Sequence, residues 1–123
     1  MRYTIDAGTV RSFEDFIEAA NVGLIEPLGG RWTGNLDALN DDLRWPGDPR
    51  IELEILGAEA CAQHLGHAAQ AARLRARLQT CHPSNQASLR EELSRAEAGQ
   101  GPTLFDILCE IFESHDHLDL RLR

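Results

Sequence analysis

A strictly alternating run at residues 50–56 constrains the fold of this chain more than any other stretch. Its apolar residues are separated one by one by acidic residues, which is the period of a β-strand with one buried and one solvated face. The residues of the predicted buried face are Ile51, Leu53 and Ile55. Shorter runs at residues 3–6 and 118–122 alternate in the same way. The sequence therefore predicts three strands, each of which buries a single face.

The segments between these strands have helical patterns and are long enough to act as parallel crossovers. The predicted helices begin near Phe13, Asn35, Ala58, Ser88 and Leu104, and the first is expected to end at residues 21–23. Parallel strands covered on both faces usually form unbroken apolar runs, whereas alternation requires one open face. Right-handed crossovers place every helix on one side when each new strand is added in the same direction. We therefore predict a two-layer α/β sandwich with a three-stranded parallel sheet in the order 1-2-3, covered on one face by helices.

The 123 residues are predicted to form a single domain, because this length can bury one core without metal or disulfide staples. A helix over residues 58–79 is expected to run without interruption. The residues of its predicted buried face are Cys61, Leu65, Ala68, Ala72 and Ala76. Residues 81–101 carry few apolar groups, so we expect a helical or partly disordered insertion there.

A glycine-rich loop at residues 29–34 leads into a short amphipathic helix. The leucines that are spaced as one buried helix face are Leu36, Leu39 and Leu43. Asp37 and Asp41 are i, i+4 neighbours, and like charges at this spacing cost an isolated helix about 0.2–0.5 kcal/mol. The helix dipole favours Asp37 in the first turn, but Asp41 and Asp42 are either solvated charges or a surface for cations. The helix is predicted to end at residues 45–47, a Trp-Pro-Gly sequence.

The run GNLDALND at residues 34–41 resembles the signature of the barstar-like family, whose members are intracellular inhibitors of secreted ribonucleases of the barnase type. The resemblance implies that Asp37 and Asp41 enter the basic active site of the nuclease. It also implies that Asn35 begins the helix that presents them, and that Trp32 is an aromatic contact of the preceding loop. The fold of that family is the architecture predicted above, and the resemblance covers most of the chain apart from residues 66–101.

Further contact residues follow from the same resemblance. Arg31 and Asn40 occupy positions where the family pattern has aromatic residues, so they are expected to change which target is recognised. Glu113 corresponds loosely to an acidic contact near the end of the last helix. The complete set of candidate partner-binding residues is Arg31, Trp32, Gly34, Asn35, Asp37, Asn40, Asp41, Asp42 and Glu113.

The distribution of charge favours a basic protein partner. The formal net charge is −8, and residues 1–60 hold twelve of the twenty acidic residues but only five of the twelve arginines. Such a field repels nucleic acid and anionic membranes, and it speeds encounter with a basic protein by roughly 10–10³-fold at low salt. The sequence therefore predicts a non-enzymatic, one-to-one inhibitor of a basic extracellular-type ribonuclease or related toxin, without direct contact to nucleic acid or membrane.

Two alternatives stay open at this point. The chain could be an immunity protein for a toxin that is not of the barnase type, or an enzyme that uses Asp37 and Asp41 as a metal site or an acid–base pair. Cys61, His64 and His67 have the chemistry of zinc ligands, but side chains at this spacing drift around a helix. We therefore predict neither a metal site nor a cofactor.

The expected compartment follows from two features of the sequence. The first ten residues contain no apolar run typical of a signal peptide. The three cysteines, Cys61, Cys81 and Cys109, do not suggest a disulfide framework. Both features favour a reducing compartment, and we expect the protein to be cytoplasmic.

Overall fold

The three predicted strands form a parallel sheet in the computed structural model, which describes residues 1–44 and 50–123. Strand β1 spans Arg2–Asp6, β2 spans Ile51–Leu56 and β3 spans Leu118–Leu122. Both neighbouring pairs are parallel, and the strand order is β1-β2-β3. The predicted sheet and its order are confirmed.

Six α-helices accompany the sheet within the described residues. They are α1 (Phe13–Ala20), α2 (Leu36–Asp42), α3 (Ala58–His64), α4 (His67–Leu78), α5 (Gln86–Glu97) and α6 (Leu104–Glu113). The hydroxyl of Ser12 caps α1 by accepting a hydrogen bond from the backbone N–H of Asp15. Thr103 and Asp106 form a reciprocal capping box at the start of α6. These side-chain bonds fix where both helices begin.

The sheet separates an apolar layer from an open, charged face. Its buried face and side chains from α1, α2, α3 and α6 form one continuous core. The opposite face carries cross-strand ion pairs, Arg2 with Glu52 at 3.2 Å and Arg123 with Glu54 at 2.8 Å. Alternation along the strands therefore has the predicted cause, since helices cover one face of the sheet and solvent meets the other.

The prediction of one uninterrupted helix over residues 58–79 is wrong, because the chain breaks between α3 and α4. Leu65 leaves helical backbone geometry, with φ −104° and ψ 47°. The carbonyl oxygens of Leu65 and Gly66 accept hydrogen bonds from the backbone N–H groups of Phe105 (2.9 Å) and Leu104 (3.4 Å) at the start of α6. At the break, the carbonyl of Leu65 thus bonds to another helix. The carbonyl of Gly66 also accepts a hydrogen bond from the backbone N–H of Gln70 in α4, so both acceptors keep partners.

The break also changes which side of α4 is buried. The prediction that Ala68, Ala72 and Ala76 are buried is wrong, since all three are exposed and line an open groove. Helix α4 instead packs against α5 in a small apolar cluster of its own. The members of this cluster are Ala71, Leu74, Leu89 and Ala96. Residues 81–101 thus contain a 3₁₀ turn at Pro83–Asn85 and the helix α5, which shields one side of α4.

The first helix continues past its predicted end as a π-helical segment, Asn21–Ile25. Gly23 lies in this segment, directly against β1. A Cβ atom at this position would meet the backbone of Thr4 and Ile5. Glycine is therefore required for this close approach of two backbones.

We expect Gly23→Ala to lower the free energy of unfolding by about 1–3 kcal/mol or more, because the added methyl group meets backbone that cannot rotate away. Gly8→Ala is the matched control, since a Cβ atom there would only come within ordinary contact distance, 3.4 Å, of a carboxylate oxygen of Asp6. Urea denaturation of both variants measures the difference. Equal unfolding midpoints would contradict the close contact between the π-helical segment and β1.

Across residues 1–44 and 50–123, no helix is both long and apolar enough to cross a bilayer. Helices α4 and α5 have twelve residues each, whereas a membrane span needs about 20. The predicted end of the acidic helix at residues 45–47 lies outside the described residues.

Candidate partner-binding site

Helix α2 is a short amphipathic helix that begins where the sequence predicts. Asn35 is its N-cap, and the side-chain oxygen of Asn35 accepts a hydrogen bond from the backbone N–H of Ala38 at 3.0 Å. Leu39 and Leu43 are fully buried, which anchors the helix on the core. The exposed carboxylates of α2 are Asp37, Asp41 and Asp42. None of these three forms an ion pair with another described residue.

The structure places Trp32 in the core rather than at the rim of the site. Its side chain is 1% exposed and packs edge-to-face against Phe13 and Phe16, with ring centroids 5.8 and 6.4 Å apart. Its indole N–H donates to the carbonyl oxygen of Asn35 at 2.7 Å. The expected aromatic contact with a partner is therefore not available on the surface, and Trp32 instead positions the start of α2.

A buried amide fixes the loop that carries Trp32. The Nδ2 group of Asn21 donates to the carbonyl oxygen of Trp32 at 2.8 Å, and its Oδ1 accepts from the backbone N–H of Trp32 at 2.7 Å. Asn21 is completely buried, so both bonds are shielded from water. Sequence reasoning missed this residue, because no local pattern links a polar residue at a helix end to a loop eleven positions later.

Gly34 and Arg31 have structural explanations beside their predicted roles. Gly34 has φ +110°, a backbone conformation that favours glycine. A Cβ atom there would also lie 2.7 Å from Cδ1 of Ile17, whose side chain would have to shift. Arg31 is exposed, and its guanidinium pairs with Glu26 at 3.2 Å and with Glu18 at 3.7 Å. The charge of Arg31 is thus balanced by these glutamates rather than by the aspartates of α2.

Asn40 links α2 to the turn before β3. Its Oδ1 lies 2.9 Å from Nε2 of His115, and the rings of His115 and His117 meet edge-to-face at 5.8 Å. Burial lowers the pKa of His115, and the neighbouring charges of His117 and Arg44 lower it further. A neutral His115 that carries its proton on Nε2 donates to Asn40 and holds the middle of α2 in place.

A groove of about 430 Å³ lies beside the aspartates, between α2, α4 and α6. Asp37 lines it from α2, Arg73 and Arg77 line it from α4, and Glu110 lines it from α6. The carboxylate of Asp37 favours the charged form of Arg73. The surface around α2 is therefore mixed in sign, with acidic residues at its centre and two arginines at one edge.

The groove contains residues that sequence reasoning missed. Glu113, the predicted contact on α6, is exposed but does not line it, whereas Glu110 does. The i, i+3 spacing of these two glutamates is the sequence signal that indicates a shared helix face. Arg73 and Arg77 had no comparable signal, because the direction in which α4 presents them depends on the break at Gly66.

Within the described residues, no group of three or more His, Cys, Asp or Glu side chains is arranged to hold a metal ion. The break between α3 and α4 separates Cys61 and His64 from His67, whose Nε2 lies 2.9 Å from the carbonyl oxygen of Gly101. Burial raises the pKa of Cys61 to about 11. Burial also raises the pKa of Cys109 to about 12, with nearby negative charges adding to the effect. Both thiols are therefore protonated and unreactive at neutral pH.

Comparison with known proteins provides no relative from which a role could be transferred. No protein-family model, no curated protein and no solved structure matches the chain. A role for this chain can therefore be inferred only from its own residues and their geometry.

We expect the free energy of unfolding to fall as pH drops below about 6.5, the ordinary pKa of histidine, with His115 as one cause. Because folding lowers the pKa of His115, the unfolded chain binds the proton more tightly. The contribution of His115 to the free energy of unfolding is fully present above the pKa that this side chain has in the unfolded chain. It is lost as the pH falls toward the lower pKa that His115 has in the folded protein. His115→Gln should flatten this slope in urea unfolding between about pH 5 and 7.5. His64→Gln, at an exposed position of α3, is the control, and equal slopes in both variants would contradict the assignment.

Proposed function

We propose that this protein is a ribonuclease inhibitor of the barstar-like type, which blocks a basic nuclease active site with the acidic surface of α2. The observation that carries the proposal is that its exposed aspartates form no ion pair with any described residue. Like charges crowded on one short helix oppose each other. The helix dipole and Arg73 favour Asp37, whereas Asp41 and Asp42 lie beyond the first turn. Cations from outside the chain would explain the placement of these two. The resemblance of residues 34–41 to the family signature assigns Asp37 and Asp41 this same role.

The proposed mechanism is substitution of a carboxylate for an RNA phosphate. A carboxylate offers negative charge and acceptor oxygens to the arginines, lysines or histidine of a nuclease, but it contains no bond that the nuclease can cleave. The cap at Asn35 and the buried side chains of Leu39 and Leu43 hold the helix in place before binding, which reduces the entropy lost on association. Asp41 is the central contact in this proposal and Asp37 is the second.

Trp32 contributes to this interface only through other residues. Its bond to the carbonyl oxygen of Asn35 sets the direction from which α2 leaves the loop. Without an exposed aromatic anchor in this loop, affinity depends mainly on charged and polar contacts. Such interfaces gain much of their selectivity and association rate from complementary charge.

An immunity protein for a toxin that is not of the barnase type is a second candidate, favoured by the surroundings of α2. Asn40 is engaged by His115, and Arg73 and Arg77 line the groove beside Asp37. A partner that presents only cations would meet these arginines unfavourably, whereas a toxin with a mixed-charge surface would not. Both candidates share a one-to-one protein complex with α2 at its centre.

We expect Asp41→Asn to weaken inhibition of a barnase-type, guanyl-specific ribonuclease by roughly 2–5 kcal/mol, because it keeps the shape of the side chain but removes its charge from the contact. Asp37→Asn should have a smaller effect. Titration of each variant into a fixed amount of nuclease, with RNA cleavage as the readout, measures the inhibition constant and the stoichiometry.

Glu91→Gln is the matched control for this experiment. Glu91 is exposed on α5, so its replacement changes the net charge by the same amount at a distant position. One-to-one inhibition that Glu91→Gln retains and Asp41→Asn loses would support the mechanism. Equal inhibition by all variants would show that the aspartates of α2 do not take part in the mechanism. No inhibition by the wild type would favour a toxin that is not of the barnase type as the target.

We expect the association rate constant of the complex to fall at least about tenfold between low salt and 0.5 M salt, because the screening length shortens from about 10 Å or more to a few ångströms. Stopped-flow measurement of association at several salt concentrations tests this. The dissociation rate constant should change much less. An association rate that does not respond to salt would contradict electrostatic steering by the acidic surface.

A further inference from the structure

A positively charged groove lies on α4, in a chain whose formal net charge is −8. The groove has a volume of about 700 Å³ and runs between α4, the start of α1 and the loop before α2. Arg11, Arg73 and Arg77 line it, against a single acidic residue, Glu14. None of these arginines forms an ion pair with another described residue. The groove is therefore a positively charged region on the surface of a chain whose net charge is negative.

Arg73 is held in place in this groove although no carboxylate pairs with it. Its side chain is half-buried, and its Nε–H donates to Oε1 of Gln70 at 3.0 Å. Gln70 is itself buried, so the guanidinium is fixed by a polar group within the protein. Burial lowers the pKa of Arg73 and the charge of Arg77 lowers it further, while Glu92 and Asp37 act in the opposite direction. The charge is thus held at an energetic cost, which a bound anion would offset.

The floor of the groove is apolar and free of large side chains. Ala68, Ala72 and Ala76 follow one another at i, i+4 and i+8 on α4, and all three are exposed. Phe13 and Ile17 of α1 form the opposite wall. Small residues in an i±4 row allow a second helix to approach closely, and this row is about 12 Å long at 1.5 Å per residue. The floor therefore matches two to three turns of a helix.

We propose that this groove is a second docking site, which binds an acidic amphipathic helix of a protein partner other than the nuclease. The small apolar side chains of that helix would pack on the alanines, and its carboxylates would pair with Arg11, Arg73 and Arg77. Arginine and carboxylate form the strongest type of side-chain pair through two parallel hydrogen bonds. A long polyanion such as RNA fits less well, because it would have to pass the acidic surface of α2 and the rest of a negatively charged chain. The existence of this second site does not rest on the nuclease-inhibitor function, since the two sites require partners of opposite charge.

The probe is a synthetic helical peptide of about 16 residues, with alanines on one face and glutamates along both edges of that face. Fluorescence anisotropy of the labelled peptide measures its affinity for the full chain. Arg77→Gln should weaken binding about fivefold or more by removing a cation. Ala72→Gln should have a similar effect because its longer side chain occupies the floor. Both positions are exposed, so the fold is expected to persist, which circular dichroism checks.

Two controls separate docking from general attraction between charges. Arg90→Gln removes the same charge from an exposed position of α5 and should leave the affinity unchanged. A peptide of the same composition, with its glutamates distributed around the whole helix, should bind at least about fivefold more weakly. Equal binding of the two peptides, or an equal loss with Arg90→Gln, would overturn the proposal.

Two further outcomes would assign the groove to a different occupant. Binding of a short RNA oligonucleotide more tightly than the peptide, with the same dependence on Arg77, would assign it to a polyanion. Concentration-dependent association of the protein with itself, measured by sedimentation and lost in Arg77→Gln, would assign it to a second copy of the chain. Either result would overturn the proposal of a separate acidic partner.

Discussion

The buried amide of Asn21 holds the loop before α2, and the position of the acidic helix depends on it. Asn21 satisfies both backbone groups of Trp32, the indole of Trp32 bonds to the carbonyl oxygen of Asn35, and Asn35 caps α2. These consecutive hydrogen bonds connect the π-helical segment with the first turn of α2. Because a buried donor or acceptor without a partner costs about 1–3 kcal/mol, this network favours one loop conformation over the alternatives. The placement of the exposed carboxylates thus depends in part on the buried side chains of Asn21 and Trp32.

What could be predicted from the sequence is what short-range chemistry determines. The strands follow from alternation, and the starts of α1, α2 and α6 follow from caps at Ser12, Asn35 and Thr103, each of which bonds three residues ahead. The break between α3 and α4 could not be predicted in this way. Its carbonyl groups bond to α6, far along the chain, so a continuous alanine-rich pattern conceals it. The error about the buried face of α4 is a consequence of the same missing long-range contact.

In the candidate site, too, features set by the local sequence could be predicted, whereas features set by long-range contacts could not. The exposure of Asp37 and Asp41 could be predicted from the amphipathic pattern of the helix, whereas their proposed role in partner binding depends on the resemblance of residues 34–41 to a family signature. The location of Trp32 could not be predicted, since an aromatic residue in a glycine-rich loop has the same local signature whether it is buried or exposed. Its burial depends on Asn21 and on the rings of α1. The arginines of α4 were missed because their direction depends on where that helix restarts.

The two proposed sites interact electrostatically through Asp37 of α2 and Arg73 of α4, which line the same groove of about 430 Å³. The carboxylate of Asp37 stabilises the charged guanidinium of Arg73. A basic partner bound at α2 would pair with the carboxylate of Asp37 and bring positive charge close to the arginines of α4. Both changes would increase the attraction of the groove on α4 for an anion. Thermodynamic linkage makes this effect reciprocal. An acidic helix bound in the groove would therefore increase the affinity of α2 for a basic partner by the same factor. Opposite charges on adjacent surfaces of so small a domain therefore favour joint occupancy over competition.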